Sequence, residues 1–154
     1  MLRIRLTLSF LMTMIFLSSC GLAKPVPQPL PSPSRRWTIK LNQSGGFAGV
    51  QLNVEISSDG QLTAQDQRTN RSVTQTLPSQ TMTKLNQFIS NLSIPSTGVP
   101  QSACADCYIY DMNIQTEESD LHILVDDVTI KNTSAADLIM FVIKLRDGAL
   151  SSNP

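Results

Sequence analysis

His122 is the only histidine in a chain of 154 residues, and the chain has 3 cysteines and 5% aromatic residues. Those scarcities exclude several functions at the outset. Structural zinc is held by four ligands, and beyond Cys20 in the leader only Cys104, Cys107 and His122 are available. No Gly-x-Ser-x-Gly elbow, His-Glu-x-x-His helix or glycine-rich phosphate loop is present to organise catalysis or bind a nucleotide. Neither an enzyme nor a cofactor nor a metal is expected. Basic and acidic residues number 12 each, for a formal net charge of zero. With no basic stripe to follow a phosphate backbone, nucleic acid is not an expected partner. The apolar run Leu6–Leu17 is about a dozen residues, whereas a helix crossing a bilayer needs roughly 20. No internal repeat is visible.

What that run does match is a secretory signal. Arg3 and Arg5 precede it, and Leu17-Ser18-Ser19-Cys20 ends it with small residues. The four closing residues resemble the bacterial lipobox. That resemblance implies a signal peptide over residues 1–20, cleaved before Cys20, with Cys20 lipidated by palmitate-type acyl chains. The mature protein would then sit in the cell envelope, anchored to the membrane through Cys20. Gly21 after the cysteine implies the outer membrane if the organism has one. An ordinary cleaved signal is the alternative. Without residues 1–20, ten basic residues face twelve acidic ones.

Residues 21–34 carry a proline at every second position from Pro25 to Pro33. Such a run lacks alternate backbone donors and forms a stiff extended spacer. At ~3.1 Å per residue it reaches on the order of 40 Å. The folded domain is expected over residues 35–148, followed by a disordered tail at 149–154.

Within the domain, Trp37, Ile39 and Leu41 alternate with polar residues, as do Val50, Leu52, Val54 and Ile56; both segments are half-buried strands. Ser57-Ser58-Asp59-Gly60 joins the second to a weaker strand from Gln61, with Asp-Gly supplying the positive φ of a tight turn. That strand is expected to run on through the polar Arg68–Val73 segment as an edge. Met82, Leu85, Ile89 and Leu92 then fall at helical spacing, with Phe88 on the flank, Ser79 as N-cap and Pro95 as terminator. Tyr108, Tyr110, Met112 and Ile114 alternate, and Leu121, Ile123 and Val125 return. A last helix carries Ala135, Leu138, Ile139, Val142 and Leu145 on one face, with Gly148 as its stop. The order β-β-β-α-β-β-α predicts an α+β fold: an antiparallel sheet of four to five strands with two helices packed on one face.

The stretch Trp37–Ile56, with Ser44-Gly45-Gly46-Phe47-Ala48-Gly49 between two strands, resembles the opening of the emfourin family, small bacterial inhibitors of thermolysin-type metalloproteases. Asp106, Tyr108 and Tyr110, the acidic pair Asp126-Asp127 and the amphipathic last helix are similar to later features of that family. The resemblance runs from about Trp37 to Leu145. The lipobox, the proline spacer and the pair Cys104 and Cys107 depart from it. It implies a monomeric binding protein in which Ser44–Gly49 enters a protease cleft without covalent chemistry. Phe47 would fill an apolar pocket, and the glycines would let the backbone approach the enzyme closely. The residues themselves support another reading: Phe47 as a plug that completes a core poor in aromatics, contributing roughly 1.5–3 kcal/mol on burial. Of the two, the plug is favoured.

Cys104 and Cys107 are expected to form a local disulfide that pins the loop entering the tyrosine strand, since an exported chain meets an oxidising environment. His122 should point outward, because its neighbours Leu121 and Ile123 point inward. Asp126 and Asp127, on opposite faces of a strand, belong to a solvated turn. Tyr108 and Tyr110 read as core, with a partner required for any buried hydroxyl. The expected function is therefore binding at the cell envelope, most concretely inhibition of a thermolysin-type metalloprotease. A structural or assembly lipoprotein and a small-ligand carrier are the alternatives.

Overall fold

The computed structural model describes residues 36–92 and 104–152. All of these belong to one compact unit, Pro33–Pro154. The signal segment, Cys20, the proline spacer and the Pro95 terminator lie outside the described residues. Among the described residues no helix is long and apolar enough to cross a membrane.

The fold is α+β: one open antiparallel sheet of six strands with two helices. The strands are β1 (Trp37–Gly45), β2 (Val50–Ser57), β3 (Gln61–Asp66), β4 (Arg71–Thr76), β5 (Tyr108–Thr116) and β6 (Asp120–Asp126). Helix α1 (Ser79–Ser90) follows β4. A short 3-10 turn, Ile130–Asn132, precedes the closing helix α2 (Ala136–Ser152). The spatial order is β4-β3-β2-β1-β5-β6. The first strand is central, pairing Leu41 with Val54 on one side and with Met112 on the other.

The sheet has one strand more than its sequence pattern suggested. The polar segment after β3 does not prolong that strand. It turns at 67–70, where Asn70 takes a φ of 53°, and returns as β4. Val73 is the one apolar residue β4 sends inward, opposite Ala64. On the other face Thr63 and Thr74 share a hydrogen bond of 3.2 Å. So few apolar positions hide the period-two signal.

Alternation decides which side is buried. Ile39, Ile56, Leu62, Ala64 and Met112 are fully enclosed on the inner face, under Leu85 of α1 and Leu138, Ile139 and Val142 of α2. The indole N–H of Trp37 donates to Asn86 Oδ1 at 2.8 Å, tying α1 to the start of β1. Phe88 and Phe141, with ring centroids 5.4 Å apart, join the two helices. Lys84 lies 4.7 Å from the centre of the Phe141 ring, a cation–π contact that covers this apolar seam.

Three helix details differ from expectation. Pro78, extended at ψ 150°, caps α1, and Ser79 is its first residue. The closing helix passes through Gly148 to Ser152, because Ala149 anchors its last turn at 1% exposure; residues 149–152 are therefore helical and not tail. The buried line of α2 contains Arg146 at 2% exposure, while Leu145 is only half-buried.

Candidate functional site

Chain direction gathers one set of connections at one end of the sheet. There β1 ends, β2 begins, β3 passes to β4, β5 begins and β6 ends. Of the six expected loop residues, Ser44 and Gly45 are the last two of β1, paired with Gln51 and Val50 on β2 and with Ile109 and Tyr108 on β5. Gly46–Gly49 make the turn itself.

Phe47 is 98% exposed, so the ring is not a plug. The core is closed without it by aliphatic side chains from the helices. A bare phenylalanine at a hairpin apex forgoes the free energy its burial would bring, and here the loop beneath it is well braced. The Gly46 N–H donates to Cys107 O at 3.1 Å, and the Gly49 N–H closes the turn onto Gly46 O at 2.9 Å. Arg68, from the β3–β4 turn, donates from Nη1 to Ala48 O at 2.5 Å.

Two of the loop glycines are required by the protein's own packing. A Cβ on Gly45 would lie 2.7 Å from Cys107 O, and one on Gly46 would collide with the Tyr108 ring; both have positive φ, 88° and 69°. Only Gly49, at φ 57°, has open space around its missing side chain. The protein's own packing is thus sufficient to require Gly45 and Gly46.

The brace continues downward. Cys104 and Cys107 form a disulfide with Cα atoms 5.6 Å apart, fixing the segment whose carbonyl receives Gly46. The Tyr108 N–H donates to Asp127 Oδ2 and the Tyr110 hydroxyl to Asp127 Oδ1, both at 2.8 Å. Tyr110 is buried to 6%, and burial followed by this bond to a carboxylate raises its pKa strongly above 10.0. Tyr108 is half-buried, forming the floor under Gly46. Asp126 accepts from the N–H groups of Val128 and Thr129 and from the Thr129 hydroxyl, at 3.0, 2.8 and 2.8 Å. The backbone bond from Thr129 is the chief cause holding its carboxyl below the ordinary 3.8. The acidic pair is therefore a structural clamp on the loop after β6.

Beside the Phe47 loop the surface is more apolar than a solvated sheet end requires. Val128 is 58% exposed, Ile109 45% and Leu124 39%; with Phe47 they are four of the five large hydrophobic residues exposed among the described residues. Ile109 faces outward opposite Ser44 and Asp126, and Leu124 lies one cross-strand step away opposite Asp111. Sequence reading missed Ile109, Val128, Arg68 and the bracing role of Asp127. The outward phase of Ile109 on β5 was a readable signal for the first of these.

His122 points outward as expected, within 2.7 Å of Asp111 Oδ1. Among the described residues no group of three or more His, Cys, Asp or Glu side chains is placed to hold a metal ion. No protein-family model matches this chain, and a search of curated proteins finds no match.

Proposed function

We propose that this chain is a lipid-anchored binding protein of the cell envelope, tethered through Cys20, that docks a protein partner with the Gly46–Gly49 turn and performs no chemistry of its own. The most concrete form of this reading is non-covalent inhibition of a thermolysin-type metalloprotease, following the resemblance of Ser44–Gly49 to the emfourin family. The observation that carries it is the combination of Phe47 at 98% exposure with a loop held by Cys107, Tyr108 and Arg68. A braced loop loses little conformational freedom on binding, which removes one of the costs of association. A large ring entering an apolar pocket then supplies the anchor, in the manner of interface hot spots.

A second reading, an assembly lipoprotein that docks a broader envelope surface, is favoured by Val128, Ile109 and Leu124, which extend the apolar surface beyond one cleft. The small-ligand carrier has no comparable support, because Leu85, Leu138, Ile139 and Val142 fill the space between helices and sheet at 0% exposure. The test is titration of the full chain against a panel of thermolysin-type proteases with a competing active-site ligand. Competitive inhibition of at least one supports the inhibitor. Inhibition of none at tens of micromolar rejects it and leaves the assembly reading.

A further inference from the structure

The outer face of the sheet, turned away from both helices, carries residues that strands disfavour. The register aligns Gln65, Asn53, Asn42 and Asp111 in one row across β3, β2, β1 and β5. In the next row Asn113 of β5 sits between Lys40 and His122. Asparagine and aspartate are depleted in strands, where β-branched residues fit the pleated surface better. Their concentration on three central strands is thus a local cost. Breaks of this kind between propensity and fold tend to mark functional positions.

Of the residues in these rows, Gln65, Asn53, Asn42, Asp111, Lys40 and Asn113 line a concavity of about 400 Å³. Within it Asn53 Oδ1 and Asn113 Oδ1 are buried yet accept no hydrogen bond, a condition that few buried polar atoms tolerate. The charged groups around them already have partners: Lys40 lies 3.4 Å from Glu55, and Asp111 Oδ1 lies 2.7 Å from His122 Nε2. An anionic or cationic ligand would have to break one of these pairs. What remains on offer is a set of carboxamides, each with both donor and acceptor capacity. A neutral, polyhydroxylated ligand matches that inventory, because each hydroxyl also both donates and accepts. Leu124, exposed at the end of the first row, adds an apolar contact for the C–H face of a sugar ring.

We propose that this face is a binding site for a neutral oligosaccharide, with Asn42, Asn53 and Asn113 as its principal hydrogen-bonding residues. The site shares only Leu124 with the apolar surface beside the Phe47 loop and does not depend on how that loop functions.

The test is an NMR titration of the full chain, held in a sugar-free zwitterionic detergent. The probes are maltohexaose, xylohexaose and N-acetylchitohexaose, with hexagalacturonate as the charged control. At least one neutral hexasaccharide should saturably shift the side-chain amide signals of Asn53 and Asn113, with Kd on the order of a millimolar or tighter. Hexagalacturonate should not. Asn53→Thr and Asn113→Thr should each weaken binding at least tenfold while keeping or raising Tm, since threonine suits a strand better. Phe47→Ala should leave saccharide binding unchanged. The proposal is overturned by any of three results: no saturable shift with any neutral probe at about 20 mM, equal binding of hexagalacturonate, or threonine variants that keep full affinity.

Discussion

At one end of β2 the chain turns through Ser57–Gly60, and at the other through Gly46–Gly49. Both turns use left-handed glycines, with Gly60 at φ 91° and Gly46 at φ 69°. The first is closed mainly by its own side chains and backbone, with the Ser58 N–H continuing the strand ladder to Trp37 O at 2.9 Å. Asp59 Oδ1 accepts from the Ser57 hydroxyl at 2.5 Å and from Gln61 N–H at 3.1 Å, and the Gly60 N–H closes on Ser57 O at 2.9 Å. Gly60 is buried and receives the Leu77 N–H on its carbonyl at 2.8 Å. The second turn draws its main supports from distant parts of the chain, at Cys107, Tyr108 and Arg68. It leaves its largest side chain in solvent. A connection needs only to reverse the chain, and local hydrogen bonds suffice. A loop that must hold one side chain out in a fixed direction needs anchors on other elements.

Substitutions should separate the two designs. Gly46→Ala combines positive φ with a clash against the Tyr108 ring, and should cost about 3 kcal/mol, a fall in Tm of roughly 10 °C in a thermal melt. Asp127→Ala strips the acceptor from the Tyr108 N–H and the buried Tyr110 hydroxyl. It should cost about 1–3 kcal/mol by denaturant unfolding, with Asp127→Asn recovering part of the loss. Gly60→Ala meets only ordinary contacts, the nearest at 3.6 Å from Leu77 O. It should cost about 1–2 kcal/mol from backbone strain alone, as should Gly49→Ala. A Gly46→Ala effect no larger than that of Gly60→Ala would erase the distinction between the turns.

Acid should act at both ends of the sheet, through Asp59 at one and through Asp66 and Asp126 at the other. Asp59 is held below its ordinary 3.8 chiefly by the Ser57 hydroxyl, and Asp66 chiefly by the Thr69 hydroxyl. Asp126 is lowered as well. A carboxyl lowered in the folded state stabilises while ionised. Its contribution is complete above the unfolded value of about 3.9 and is lost as pH falls through the lowered folded values. Tm should therefore hold down to about pH 4 and decline below it, and Asp59→Ala should flatten part of that decline.

Much of the fold was legible because alternation and helical spacing were strong. Trp37–Leu41, Val50–Ile56, Tyr108–Ile114 and Leu121–Val125 each announced a strand and a buried face. The fourth strand was not legible, since Val73 alone carries its apolar signal. The true end of α2 was obscured by Gly148, whose cost in a helix is offset by burial of Ala149. At the candidate site the Gly-Gly-Phe-Ala-Gly pattern marked the place but not the exposure of its ring. That depended on whether α1 and α2 fill the inner face unaided, which is a matter of packing volume. Nor could spacing reveal that Gly45 and Gly46 make room for Cys107 and Tyr108, some 60 residues away in sequence.

The claim that Phe47 is presented and not packed is tested most directly by one paired measurement on the full chain and its Phe47→Ala variant. Inhibition of a susceptible thermolysin-type protease and thermal stability would be read on the same samples. The expected result is an inhibition constant at least tenfold weaker with stability changed by no more than about 0.5 kcal/mol. A variant that inhibits as well as the parent, or one destabilised by about 3 kcal/mol as a buried phenylalanine would be, contradicts it.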